Sequence, residues 1–138
     1  MSSNKTICYE ARFTLNDAAQ LLGIMGWTTE ATYRDCRGEA IDPVTCDVKN
    51  KLVPMPGHGE PSSYDISGAI HQAATRALVA RDAEALLAQY LRDTGIIPVG
   101  DKPDEEVIAA YNDGTSRNLQ EVVGVLVLAS MHDPEEAS

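Results

Sequence analysis

Apolar side chains recur at helical spacing in five stretches of the chain. In "TLNDAAQLLGIMG" (14–26), Leu15, Ala18, Leu22 and Met25 form one stripe, with Thr14 as the cap and Gly26 as the left-handed exit. In "SSYDISGAIHQAATRALVARD" (62–82), Ile66, Ala69, Ile70, Ala73, Ala74, Ala77 and Leu78 predict a continuous helix capped by Ser62 or Ser63. Asp82 opens another, in which Leu86, Leu87, Tyr90 and Leu91 share a face and Gly95 closes the end. "DKPDEEVIAAYNDG" places Asp104, Glu105 and Glu106 in a first turn, where the helix dipole favours acids, and a last helix follows through "TSRNLQEVVGVLVLASMHD".

Between the first two stripes the pattern changes. "TYRDCRGEAI" sets Asp35 and Gly38 at the ends of a type I turn between β-prone runs, which predicts a hairpin. Residues 42–63 hold four of the seven prolines and "GHG", and are read as a long loop. Residues 1–13 are an arm without an assigned element, and 133–138 a frayed acidic tail. The expected architecture is mainly α: one domain over 1–138, a packed bundle of four to five helices with a small β-hairpin inserted after the first.

Composition changes this picture in texture. With one Phe and one Trp, the core must be built from Ala, Leu, Val and Ile, which suits close helix packing. The formal charge of −10 opposes direct binding to nucleic acid or anionic lipid. Residues 1–100 carry 9 basic and 12 acidic side chains, whereas 101–138 carry 2 and 9, so the acidity concentrates in the last third. The run "VVGVLVLA" is too short for a membrane span, "MSSNKT" lacks the apolar run of a secretory signal, and an odd cysteine count fits a reducing cytoplasm.

Candidate chemistry is sparse. Cys36, Cys46 and His58 match no paired zinc spacing, and no local signature marks Cys8, Cys36 or Cys46 as activated beside a histidine. Gly57 and Gly59 in a proline-rich setting do not make a phosphate cradle. His71, beside Ile70, reads as a partly buried or surface histidine, and His132 as a dipole contact at the end of the last helix. No metal, cofactor or catalytic residue is expected.

Binding candidates are better defined. Trp27, at the exit of the first helix, either seals the core or anchors a partner. Tyr33, Arg34 and Asp35 present an exposed-looking hairpin of the type that dominates interfaces. Asp104, Glu105 and Glu106 offer charge. Asn112 and Asp113 satisfy free backbone groups where two helices meet, or form a polar recognition point.

Three segments, "AAQLLGIMGWTTEATYRDCRGEAID" (18–42), "SGAIHQAATRA" (67–77) and "YNDGTSRNLQEVVGVLVLA" (111–129), resemble an uncharacterised family of short proteins from actinobacteria and their phages. Its pattern runs from Gly-Trp through an Asp-x-x-Gly turn and a Gly-Ala helix to an Asn-Asp step. This chain departs from it at Ser63 and Tyr64, where relatives carry a Trp-Cys or similar pair, and at Tyr111, where Trp is frequent. The resemblance implies a mainly helical fold and no established activity.

The functional expectation is a small acidic cytoplasmic interaction protein that binds or inhibits a host protein with a basic surface, with mimicry of nucleic acid as a variant. The alternative is a small-molecule site or enzyme with a pocket under the 42–63 loop, drawing on His71, Asn112 and Asp113.

Overall fold

The first apolar stripe extends further upstream than its cap candidate implies. In a computed structural model of the chain, one helix, α1, runs Ser2–Met25. The structure describes residues 2–29, 31–45, 52–55, 61–98, 100–114 and 118–132, with the side chains of 2–8, 45 and 52 outside that description. Ala11 continues the buried line of Leu15, Ala18, Ala19 and Leu22, and no breaker precedes Thr14. That residue is therefore a buried mid-helix side chain instead of a cap, and the segment read as an arm is helical from Ser2. The helix leaves through Gly26, whose φ of +119° disfavours any side chain and whose N–H donates to the Leu22 carbonyl at 2.9 Å.

The expected hairpin forms. Strands β1 (Tyr33–Arg34) and β2 (Ala40–Ile41) pair antiparallel, with Tyr33 opposite Ile41. The turn is held by the Gly38 N–H on the Asp35 carbonyl and by the Arg37 and Glu39 N–H groups on the Asp35 carboxylate, at 2.9 and 3.0 Å. Gly38, at φ +82°, supplies the left-handed residue.

The 42–63 segment is not all loop. Strands β3 (Pro43–Thr45) and β4 (Leu52–Pro54) form a separate two-stranded ladder. Its end pair, Pro43 opposite Pro54, uses positions where missing N–H groups cost least. Strand β5 (Ser63–Tyr64) then pairs antiparallel with the free edge of β1, giving the sheet order β2-β1-β5.

That pairing explains why the next helix starts later than expected. Ser63 is opposite Arg34 in the sheet and the Ser62 N–H donates to the Arg34 carbonyl at 2.7 Å. Capping passes to Asp65, and α2 spans Ile66–Ala73. The continuous helix expected over 62–82 is also broken: Ala74 and Arg76 are extended, and α3 runs Ala77–Asp93. No Pro or Gly marks the break. Restarting at Ala77 turns Ala77, Ala80, Ala83, Leu87 and Leu91 into the core and leaves Leu78, counted in the continuous stripe, 48% exposed.

Helix α4 (Asp104–Asn112) carries its three acids in the first turn as expected, and α5 (Leu119–Met131) is capped by Asn118, whose side chain accepts the Glu121 N–H. Helix α1 packs against α5, α3 and α2, and α4 closes on α3 and α2. The result is mainly α, five helices among the described residues, with small antiparallel sheets following the first.

Candidate functional site

The described polar groups converge most densely where α4 ends beside the start of α2. Asn112 is only 2% exposed. Its Oδ1 accepts the Trp27 indole N–H at 2.8 Å and the Ile66 backbone N–H at 3.0 Å. Its Nδ2 donates to the Thr28 carbonyl at 3.1 Å and to an Asp113 carboxylate oxygen at 3.0 Å. These four bonds use the full capacity of a carboxamide. They also fix its orientation, because both N–H donors face the same amide atom.

Around this residue lies a group of ionisable side chains. Asp65 caps α2 by accepting the Gly68 N–H at 2.6 Å, while its own N–H donates to the Thr32 carbonyl. Burial pushes its carboxyl up to about 7, helped by the negative charges of Asp113 and Glu84 and resisted by the Gly68 N–H and by His71. One turn on, His71 Nε2 meets Glu84 Oε1 at 3.1 Å, both side chains buried, and the Ser67 hydroxyl donates to Glu84 Oε2 at 3.3 Å. Tyr33 and Tyr64 stack edge to face at 5.6 Å beside Asp65, and burial with that neighbouring carboxyl pushes the Tyr33 phenol up.

The raised Asp65 value has a consequence for stability. A group whose folded pKa exceeds its unfolded one stabilises fully below the unfolded value, and that contribution is lost as pH rises through the folded value. The window here is about pH 4 to 7. Asp65→Asn retains a good cap. Its urea-unfolding free energy is expected to match wild type near pH 4 and exceed it by about 1–2 kcal/mol at pH 8. A less stable variant at pH 8 would contradict the assignment.

The expected binding residues divide. Trp27 is half-buried and covers the core, with its indole N–H committed to Asn112. Tyr33 is fully buried, which corrects the exposed-looking hairpin: its ring faces inward because Tyr33 pairs with both Ile41 and Tyr64. Arg34 is half-buried, its guanidinium donating to the Thr28 hydroxyl and to the Thr29 and Gly38 carbonyls. Asp35 closes its own turn. Asp104 pairs with Arg92 at 2.9 Å, whereas Glu105, Glu106 and Asp113 are exposed. Asn112 does serve a helix end, but it is the distant start of α2.

The structure adds Asp65, Ser67 and Glu84. Glu84 had a sequence signal, since it lies four residues after Ala80 and three before Leu87, on the buried face of α3. Of the residues that the pocket alternative draws on, His71 is bonded to Glu84 and Asn112 is fully bonded; residues 46–51 and 56–60, with Cys46 and His58, lie outside the described residues, as does the Cys8 side chain. Cys36 is exposed. Among the described residues, no three His, Cys, Asp or Glu side chains are grouped to hold a metal, and no helix is long and apolar enough to cross a membrane. At the opposite end of α3, His132 bonds Asp93 at 2.8 Å and, with Gln89, holds that carboxyl below its usual range.

Fold and junction together define a mainly α protein, with five helices among the described residues, whose polar centre is a bonded joint between elements. The chain belongs to the family of unknown function DUF6197, whose model matches residues 9–130. That span contains all three segments carrying the resemblance, and Trp27, Gly68 and Asn112 from those segments meet at or beside the joint. No curated protein and no solved structure matches the chain.

Proposed function

We propose that this chain is a protein-interaction module that docks a basic protein partner on the outer face of α1 and α5. The observation that carries this reading is the exposure of Tyr9 and Phe13, at 66% and 67%, one turn apart on the side of α1 opposite its buried stripe. On α5, Leu128 and Met131 are also exposed. Arg12 donates to the Ser130 carbonyl at 2.8 Å, which brings this end of α1 beside the end of α5 that carries them. Exposed aromatic and long apolar side chains gathered on adjacent helices are typical anchors of a binding surface.

Charge selects the occupant. At −10 the chain repels a second copy of itself and attracts a basic surface, while exposed Glu105 and Glu106 on α4 add to the long-range attraction. The reading carries with it a reducing cytoplasm, from the odd cysteine count, and an actinobacterial or phage source, from the motifs.

Parallel affinity capture from source cells tests it, using wild type and a Tyr9→Ser, Phe13→Ser double variant. Both side chains are exposed, so the variant keeps its circular dichroism. A basic protein retained by wild type is expected to fall roughly ten-fold or more on the variant. Equal retention would contradict the assigned face.

A further inference from the structure

We propose that the entry to α2 is a proton-controlled latch, in which the charge on Asp65 decides how firmly the end of α4, and through it Trp27, is held. Helix α2 packs against α3 and α4 here, and the Asp113 and Glu84 carboxylates act on that of Asp65. Asp65 opens α2, Asp113 follows the last residue of α4, and Glu84 belongs to α3. His71 on α2 is the cation-capable group facing Asp65, and it is bonded to Glu84. From the sheet, Tyr33 and Tyr64 adjoin the same carboxyl. The guanidinium of Arg34 is engaged by Thr28, Thr29 and Gly38.

Mechanical coupling runs through Asn112. Its Nδ2 binds the Asp113 carboxylate, and its Oδ1 binds both Ile66, next to Asp65, and the Trp27 indole. With Asp65 neutral, Asp113 meets one carboxylate fewer, and the four bonds of Asn112 hold α4, α2 and Trp27 together. When Asp65 loses its proton, it gains strength as acceptor of the Gly68 N–H but repels Asp113 and Glu84 inside a half-buried joint. The cheapest relief is to displace exposed Asp113, which pulls on Asn112 and loosens the indole. Burial and the two neighbouring carboxylates bring this proton loss to about pH 7.

Trp27 is the only tryptophan in the chain, so its fluorescence reports the joint directly. Emission recorded from pH 5 to 9 is expected to shift through a one-proton transition centred near 7, with far-UV circular dichroism unchanged. Asp65→Asn, which keeps the cap, should abolish the transition. Asp113→Asn, which removes the charge that ionised Asp65 displaces, should reduce the amplitude of the emission transition, with far-UV circular dichroism unchanged. The latch is overturned by emission invariant across the range in wild type, by a transition persisting in Asp65→Asn, or by a transition of full amplitude in Asp113→Asn. A transition lost in His71→Gln but kept in Asp65→Asn would transfer the titration to the imidazole and equally overturn the assignment.

Discussion

Replacing Asn112 with Ala is expected to destabilise the protein by about 3–5 kcal/mol, the sum of several buried polar groups losing their partner at once. The change removes the acceptor of the Trp27 indole and of the Ile66 N–H, and the donor to the Thr28 carbonyl. The Ile66 N–H sits in the first turn of α2, where no intrahelical carbonyl can replace the lost oxygen. Asp is not a conservative substitute, because it cannot donate to Thr28 and adds a fourth carboxylate beside Asp65, Asp113 and Glu84. Urea unfolding at fixed pH measures the loss, and a change under 1 kcal/mol would mean that water or relaxation replaces the carboxamide.

The second large effect is at Gly68, for a steric reason. A Cβ there would lie 2.6 Å from the Thr32 carbonyl oxygen and 3.1 Å from both the Asp65 carboxylate and the Thr32 methyl. The close oxygen is backbone, and Thr32 also accepts the Asp65 N–H, so it cannot simply swing away. Gly68→Ala would gain about 0.5–1 kcal/mol if helix propensity alone mattered. Overpacking at this contact is expected to reverse the sign and leave a net loss of about 2–4 kcal/mol by thermal or urea unfolding. A more stable variant would contradict the close approach of α2 to the chain before β1.

The two positions mark what the sequence could and could not disclose. The turn at Asp35 and Gly38 was legible because all its bonds lie within five residues and each follows from a short carboxylate and a glycine. The acidic start of α4 and the apolar periodicity of α5 were legible for similar local reasons. Strands of two residues offer no alternation to read, so the burial of Tyr33 was not foreseeable from its neighbours. The break between α2 and α3 contains no Pro or Gly; it is imposed by what each half buries. At the α2 cap, Ser62 and Ser63 are good cap residues already engaged by the sheet, a competition that local sequence does not display.

Most of the joint is long-range by nature. Trp27 and Asn112 are 85 residues apart, and Ile66 and Asn112 46. Local pattern places Asn112 at the end of α4 but cannot say that its side chain serves the start of α2. His71 and Glu84 belong to different helices only because of the break, so their pairing was hidden with it. Tyr9 and Phe13 precede the first cap candidate, Thr14, so local sequence draws no helical face through them.

In the proposed function two surfaces have separate roles, an outer α1–α5 face that binds and a polar joint that holds the fold and responds to protons. Amide chemical-shift mapping of the labelled protein against the captured partner tests that division most directly. Perturbations are expected to concentrate on residues 9–24 and 125–131, with those at 65–68 and 112–113 near their unbound positions at constant pH. Perturbations centred on 65–68 and 112–113, with the outer face of α1 undisturbed, would contradict it and make the joint itself the binding site.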